Sequence, residues 1–253
     1  MSSKKIRRKA VILTALDVEY LAVKRHFLNL KEKSHKSSIY EIAKFETNKI
    51  IWTICLAKAG RGNSKTGIMT ERVINYFKPN LVIFVGIAGG IKDVVIGDVV
   101  AVDKAYDYES AKISPQLLTR PEIGMSSYAI LERAQKVADN VNWKKRIKHL
   151  NSKYSDPKIV FRSIATGDKV ITSRKSNVFK LIVSRFNDAI AVETEAGGFY
   201  QAIRANEGII SLIIRGISDM IDDKAKTDSK GCQEIAADYA SAFMIEVLYN
   251  FTI

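Results

Sequence analysis

Cysteine is scarce in this chain of 253 residues, and the two that occur, Cys55 and Cys232, lie far apart in the sequence. They form no CxxC pattern and no other spacing typical of metal ligands, which argues against a disulfide scaffold and a zinc-binding fold. We expect each cysteine to be a small residue of the core or its boundary. The sequence predicts no metal site and no cofactor.

Proline is also rare, with four residues, and the chain has no low-complexity tract that would act as an internal linker. Long apolar runs are missing as well, since the first one, AVILTAL at 10–16, is followed at once by Asp17 and Glu19. This argues against a secretory leader and a membrane-spanning helix. The sequence therefore predicts a cytoplasmic protein with a basic N-terminal arm at 1–8 and one domain at 9–253.

Positive charge dominates, because 40 lysines and arginines against 27 aspartates and glutamates give a formal charge of +13 at pH 7. The basic residues cluster in KKIRRK at 4–9 and WKKRIKH at 143–149. These clusters are either solvated surface or an attractive field for anionic ligands such as nucleotides. Nucleic acid is not favoured as a partner, because no helix-turn-helix, zinc or RNA-recognition pattern accompanies the charge.

Continuous apolar segments alternate with amphipathic ones along most of the chain. The apolar segments predict strands at 9–16, 39–46, 49–60, 81–90, 96–109, 159–166, 188–192 and 208–218. The amphipathic segments predict helices at 17–30, 64–77, 126–142, 175–186, 194–206 and 231–250, with the rest of 110–158 irregular. This order predicts an α/β fold, a single domain with a mixed, mainly parallel twisted sheet flanked by helices on both faces.

Acidic residues and glycines follow several of the predicted strands. Asp17 and Glu19 come after the first strand, Glu193 and Glu195 follow the apolar run AIAV, and Asp219 follows IRGIS. Ligands of such sheets bind beyond the carboxyl ends of the strands. These positions therefore predict a site with acids for proton transfer and glycines for close approach of the backbone.

Six motifs occur in a specific order: TALDVEY, VGIAGG, IGDVV, ATGDKV, AVETEAGG and IRGISD. In this order they resemble the purine nucleoside phosphorylase and nucleosidase superfamily, nearest to its methylthioadenosine/S-adenosylhomocysteine nucleosidase branch. The resemblance covers about residues 9–250. It implies a nucleoside phosphorylase-like fold and an enzyme, an N-glycosyl hydrolase, that releases a free base from a purine nucleoside or nucleotide.

The resemblance also implies catalytic roles. Asp219 matches the acid that protonates or hydrogen-bonds N7 of the purine, and its alternative role is to cap the turn that follows. Glu19 matches the base that deprotonates the attacking water, and its alternative is an ordinary first-turn helix acid. Arg215 matches an arginine near that water and would keep Glu19 ionised.

Further positions match substrate-binding residues of the family. Glu195 corresponds to the carboxylate that accepts both ribose hydroxyls, a role that suits a group with two acceptor oxygens. Glu193 corresponds to a second carboxylate of the site, although a first-turn acid of the next helix fits it equally well. The remaining predicted contacts are Thr194, Ile87, Ala88, Gly89, Val170, Ile171 and Arg61.

The chain also departs from the family pattern. Phe84 stands where phosphorylases have a phosphate-binding arginine, which favours water as the nucleophile. Ile87 replaces a serine, Thr194 replaces a methionine, and Val170 replaces an aromatic residue that stacks on the base. The pocket is therefore predicted to differ from that of a thio-nucleosidase. A phosphorylated 5′ end needs cations, and the candidates, which are otherwise ordinary surface residues, are Arg61, Lys169, Arg174 and Lys175.

Two segments, YDYESAK…LLTRPEIGMSS and GCQEIAADYASAF, resemble nucleosidase-type effector domains of bacterial anti-phage systems. That likeness implies cleavage of an adenine nucleotide and an upstream signalling or sensor protein. The family resemblance implies a homo-oligomer, usually at least a dimer. Two alternatives stay open. One is a phosphate-dependent purine nucleoside phosphorylase, and the other is a non-catalytic nucleotide-sensing module.

Overall fold

The computed structural model describes residues 5–115, 117–154, 156–222 and 231–252. Its strands are β1 Ile6–Thr14, β2 Lys31–His35, β3 Ser38–Glu46, β4 Ile50–Lys58, β5 Leu81–Gly90, β6 Val99–Asp107, β7 Ala111–Ile113, β8 Leu117–Thr119, β9 Ile123–Met125, β10 Ile159–Thr166, β11 Ala191–Glu193 and β12 Ile210–Met220. Its helices are α1 Asp17–Lys24, α2 Asn63–Phe77, α3 Tyr128–Ala138, α4 Asn177–Arg185, α5 Ala196–Arg204 and α6 Cys232–Asn250. Two 3₁₀ helices span Val141–Arg146 and Ser152–Tyr154.

Ten strands form one mixed sheet in the order β11-β10-β6-β12-β5-β1-β4-β3-β2, with β9 beside β6. Strands β12, β5, β1 and β4 run parallel to one another, whereas β6 runs antiparallel to β12. Strand β11 pairs with β10 and also with β5, so five strands close into a ring. The predicted α/β fold with a mixed sheet is confirmed.

Both faces of the sheet are apolar and covered. On β1, Ala10 and Ile12 pack into one hydrophobic cluster, and Val11 and Leu13 pack into the other. Successive side chains of a strand point to opposite faces, so an uninterrupted apolar strand serves two layers. Helix α6 lies on the first face and is buried on nearly all sides, as expected for a helix that is apolar around its circumference. Helices α2 and α5 pack against each other and contribute to the second cluster.

Several boundaries differ from the prediction for identifiable reasons. Helix α1 ends at Lys24, and the following KEKSH forms the exposed edge strand β2, whose polar sequence gave no strand signal. Residues 110–125, predicted to be irregular, contain the short strands β7, β8 and β9. Strand β1 begins at Ile6, so the end of the predicted basic arm belongs to the sheet, while residues 1–4 lie outside the described chain.

The basic cluster WKKRIKH is anchored to the body of the protein. Trp143 is 2% exposed within the core, and the Arg146 guanidinium donates to Glu246 of α6 at 2.8 Å. Lys144 pairs with Asp156 at 2.5 Å. This segment is therefore held mainly by structural contacts. Among the helices that the structure describes, none combines the length and the apolar character needed to cross a membrane.

Candidate active site

One cavity of about 200 Å³ lies between the segment that follows β1, the later part of β5, the region around β11 and the end of β12. It is lined by every predicted site residue except Arg215, which is 1% exposed and contacts Glu193 of the cavity wall. The lining also includes Leu16, Lys169, Val192, Ser218 and Gln233. Leu16, Val192 and Ser218 are near neighbours of predicted acids in the sequence, whereas Gln233 arrives from the start of α6 and has no local signal.

Glu19 is fixed by the turn between β1 and α1. Its Oε2 accepts hydrogen bonds from the amides of Ala15 and Leu16, each at 2.8 Å, and its Oε1 accepts from the amide of Ile87 at 2.9 Å. Burial raises the pKa of Glu19 to about 7, even though Arg215 and these three amides lower it. A carboxyl group with this pKa can take up and release a proton near neutral pH.

Arg215 is a buried cation behind the cavity. Its Nη2 donates to Glu193 Oε2 at 2.7 Å, and its guanidinium lies 4.1 Å from the ring centre of Phe84. Burial lowers the pKa of Arg215, but the carboxylates of Glu193, Glu19 and Glu195 raise it by more. The net shift of this pKa is upward, so Arg215 stays charged. Phe84 is fully buried and supports Arg215 from within the core, and it is absent from the cavity lining.

Gly86 permits Arg215 and Glu19 to approach each other. A Cβ at this position would lie 2.5 Å from Arg215 Nη1 and 2.7 Å from Glu19 Oε1, closer than real Cβ contacts allow. The two charged groups therefore face each other across a position that only glycine can occupy without displacing them.

Glu193 and Glu195 differ in what their oxygens contact. Glu193 Oε1 accepts from the Ala196 amide at 3.0 Å, while its Oε2 accepts from the amides of Glu195 and Ala196 and from Arg215. Glu193 thus accepts from amides in the first turn of α5, as one interpretation predicts. It also lines the cavity and binds the buried arginine, as expected for the other interpretation, a second carboxylate of the site. Glu195 Oε1 accepts from the amide of Gly62 and the hydroxyl of Thr194. Burial raises the pKa of Glu195, and the neighbouring Glu193 raises it further.

Asp219 enters the cavity from within β12. A register irregularity between Ile217 and Asp219 interrupts the pairing with β5, and such bulges redirect a side chain. The Ser218 hydroxyl donates to Asp219 Oδ2 at 2.7 Å, and a Cβ on Gly89 would lie 3.3 Å from Asp219 Oδ1. Asp219 is 2% exposed and is the second-last residue of β12.

The four predicted cations separate into two groups. Arg61 and Lys169 line the cavity, with the Lys169 ammonium paired to Glu109. Arg174 instead donates to the carbonyls of Ile91 at 3.1 Å and Ile221 at 3.3 Å, and neither it nor Lys175 lines the cavity.

A second cavity of about 460 Å³ adjoins the first, and the two share Leu16, Arg61 and Gln233. Its wall adds Lys58, which pairs with Asp17 at 2.5 Å. The two cavities together form one cleft, with Arg61 at the junction between the acids of the first cavity and the paired Lys58 and Asp17 of the second.

Comparison with known proteins gives consistent matches along the chain. Residues 9–248 match the phosphorylase superfamily. A protein of Escherichia coli (strain KTE188) named ATP nucleosidase Cap17 is 27% identical over 248 residues, which cover 87% of this chain and 47% of that protein. The 5′-methylthioadenosine/S-adenosylhomocysteine nucleosidase of Buchnera aphidicola subsp. Schizaphis graminum is 28% identical over 218 residues, 86% of each chain. This chain thus spans about half the length of the first of these relatives.

Solved structures share the fold. The 5′-methylthioadenosine/S-adenosylhomocysteine nucleosidase of Neisseria meningitidis, in complex with methylthio-immucillin-A, gives a TM-score of 0.77 at 21% identity, covering 96% of this chain and 100% of that one. Futalosine hydrolase of Helicobacter pylori strain 26695 gives a TM-score of 0.77 at 21% identity, covering 96% and 98%. The predicted class of enzyme, an N-glycosyl hydrolase, agrees with the names of these relatives.

Proposed function

This chain belongs to the phosphorylase superfamily, as the order of its motifs predicts, and we propose that within it the chain is a purine nucleosidase. The observation that carries the proposal is one cavity lined by Glu19, Glu195 and Asp219, three buried carboxylates in three different environments. Cleavage of an N-glycosidic bond needs a base for the nucleophile and an acid for the leaving group. Burial raises the pKa of Glu19 to about 7, which suits Glu19 to the task of the base near neutral pH.

In the proposed reaction a water molecule attacks C1′ of the sugar. Its oxygen forms the new bond to C1′, one of its protons passes to Glu19, and the bond from C1′ to the purine breaks. Asp219 supplies a proton to N7 of the leaving base, and Glu195 accepts hydrogen bonds from the ribose hydroxyls. Glu19 Oε2 already accepts two amides and Oε1 accepts one, so Oε1 retains one lone pair for the water.

Phe84 supports water rather than phosphate as the nucleophile. Its ring is buried beneath Arg215, where a phenyl group offers no hydrogen bond to an anion. The test is chromatography of the purified chain incubated with adenosine, methylthioadenosine, AMP and ATP in phosphate-free buffer. We expect free adenine from at least one of them. Release that depends on added phosphate and yields ribose 1-phosphate would establish phosphorolysis instead, and unchanged ligand that binds tightly by calorimetry would establish a sensing module.

We further propose that the substrate is a 5′-phosphorylated adenine nucleotide. Arg61 and Lys169 line the first cavity beside its acids, and Arg61 also lines the second cavity, where Lys58 is paired with Asp17. Arg61 at this junction suits a ligand with a neutral nucleoside part and an anionic tail, because arginine binds phosphate through paired hydrogen bonds. The relative named ATP nucleosidase Cap17 supports the same choice.

The substrate proposal is tested by comparing kcat/KM for ATP, AMP and methylthioadenosine. We expect ATP or AMP to exceed methylthioadenosine, and Arg61→Ala to remove most of that advantage while leaving adenosine turnover nearly unchanged. Lys175→Ala is the matched control, since Lys175 does not line the cleft. A tenfold preference for methylthioadenosine, or nucleotide turnover that is unaffected by Arg61→Ala, would refute the proposal.

The resemblance to effector domains leads us to propose a role in anti-phage defence downstream of a sensor protein. Expression of the chain in bacteria is then expected to deplete adenine nucleotides, and Asp219→Asn should abolish the depletion. Nucleotide levels that match those of the Asp219→Asn strain, with or without phage, would contradict this role.

We also propose that the chain forms a homo-oligomer through the hairpin of β7 and β8. These strands form a separate two-stranded sheet, which is marginally stable in water when nothing covers it. Ile113 is 86% exposed and Leu118 is 47% exposed, so the hairpin offers an apolar surface to a second copy. Light scattering should give at least a dimer, and Ile113→Asp with Leu118→Asp should shift it toward monomer. A wild-type monomer would refute the proposal.

A further inference from the structure

The two carboxylate oxygens of Glu195 have different tasks. Oε1 accepts a hydrogen bond from the Gly62 amide at 3.0 Å and a second from the Thr194 hydroxyl at 2.5 Å. A carboxylate oxygen presents about two lone-pair sites, so these two donors occupy Oε1. Oε2 is the oxygen left to accept hydrogen bonds from a bound molecule.

The two donors come from different parts of the fold. Thr194 lies between β11 and α5, next to Glu195 itself, whereas Gly62 is the residue before α2. Gly62 has a φ of +93°, a conformation that residues with a Cβ rarely adopt, and this conformation directs its amide toward Glu195. The starts of two helices are thereby tied to one carboxylate oxygen.

We propose that Thr194 is a positioning residue for sugar recognition: its hydroxyl, together with the Gly62 amide, holds Glu195 Oε1 so that Oε2 alone binds the ribose hydroxyls. This inference rests on the proposed nucleosidase function. It concerns the residue that replaces the methionine expected from the family resemblance, and methionine has no hydroxyl to donate.

The electrostatics of the site make this hydrogen bond important. Burial and the nearby Glu193 favour the protonated form of Glu195, whereas Arg215, the Thr194 hydroxyl and the Gly62 amide favour the ionised form. An ionised carboxylate accepts only, which is what two ribose hydroxyl donors require. Loss of the Thr194 hydroxyl therefore loosens Glu195 and reduces its ionised fraction.

The test replaces Thr194 with valine, which has the same shape but no hydroxyl, and with serine, which keeps the hydroxyl. ATP and adenosine are each compared with their 2′-deoxy and 3′-deoxy analogues. For Thr194→Val we expect KM for the ribonucleosides to rise roughly tenfold or more, the range for a hydrogen bond to a charged group, with a smaller change in kcat. The increase should be smaller for both the 2′-deoxy and the 3′-deoxy analogues, because each lacks one of the two hydroxyls that donate to Oε2, and Thr194→Ser should restore the wild-type pattern.

Thr70→Val serves as the matched control, because it removes a buried hydroxyl from the middle of α2. It should leave the ratio between ribo and deoxyribo substrates unchanged. Equal losses for ribo and deoxyribo substrates in Thr194→Val, or no recovery in Thr194→Ser, would overturn the positioning role.

The proposed function can fail separately from this inference. Should the wild type turn over none of these compounds, titration calorimetry with ATP, 2′-deoxyATP and 3′-deoxyATP applies the same comparison to binding affinity. A ribose preference that depends on the Thr194 hydroxyl then supports the inference without catalysis. Equal affinities for the three nucleotides, or no binding of any of them, would overturn it.

Discussion

Two regions of this molecule bury carboxylates against backbone amides, with opposite consequences. On α6, Asp238 Oδ2 accepts from the amides of Lys148 and His149, at 3.0 and 2.8 Å, and holds the loop after the first 3₁₀ helix. Around the cavity, by contrast, Glu19, Glu193 and Glu195 all lie close to the buried Arg215, whose pKa they raise. The carboxylate of α6 serves as an anchor for a loop, whereas the cavity groups three carboxylates around one buried arginine, an arrangement typical of sites that exchange protons.

Among substitutions that test this difference between the two regions, the largest expected effect is on catalysis. Asp219→Asn removes the proposed proton donor while keeping nearly the same shape, so turnover should fall by roughly 10²–10⁴-fold, the usual contribution of general acid catalysis. Ligand affinity by calorimetry and the melting temperature should change little. Near-wild-type turnover would remove Asp219 from the mechanism.

The next effect is the pH dependence of stability. Burial raises the pKa of Glu19 from its ordinary value of 4.5 to about 7, so the folded chain binds this proton more tightly than the unfolded chain. Glu19 should therefore lower the free energy of unfolding as pH rises from 4.5 to 7, by about 3 kcal/mol in total. Turnover should rise over the upper part of the same range, because the base must be ionised.

Denaturant unfolding at a series of pH values checks this prediction. Glu19→Gln should flatten the decline in stability between pH 4.5 and 7. Two results together would contradict it: a wild-type stability that is constant or increases between pH 4.5 and 7, and a slope that Glu19→Gln does not shift upward.

A smaller effect is expected at Gly86. In Gly86→Ala the new Cβ must displace Arg215 Nη1 and Glu19 Oε1, so we expect a loss of roughly 1–3 kcal/mol in stability together with reduced turnover. Gly208→Ala is the control, since its Cβ meets nothing within 4 Å and only the positive φ of that residue is strained. Its turnover should be unchanged. Full activity in Gly86→Ala would show that the spacing of Arg215 and Glu19 does not matter.

The smallest effect is expected on α6. Asp238→Ala removes the acceptor of the Lys148 and His149 amides, whose hydrogen bonds are partly buried, which should cost about 1 kcal/mol in the free energy of unfolding. Turnover per folded molecule should stay at the wild-type level when it is assayed well below the melting temperature. A selective loss of turnover would mean that α6 and the cavity are coupled.

The sequence was sufficient for the parts of the fold that follow from local pattern. Strands β5 and β10 have the predicted bounds, and acids placed after apolar strands did converge on one cavity. Glu193 lies at the cavity for a different reason: closure of the five-stranded ring pairs β11 antiparallel to β5. A local sequence pattern cannot predict that β5 and β11, which are about a hundred residues apart, pair with each other.

Other features depend on tertiary contacts that a sequence pattern does not contain. The two glutamates of AVETEAGG look alike in the sequence, and only their partners separate them, since Glu193 binds Arg215 and Glu195 binds Gly62. Gln233 enters the cavity from the far end of the chain. The catalytic and substrate-binding roles of the site residues stay predictions until the variants described above are measured.

The ring of strands has a consequence for how a ligand enters and leaves. Every strand of the ring is laterally hydrogen-bonded to two others, so widening the floor of the cavity would require a ladder to separate. The loop at 167–176, which carries Lys169, Val170 and Ile171, has no such ladder. Access to the buried acids therefore depends on the rim, and amide hydrogen exchange should be slow around the ring and faster along that loop.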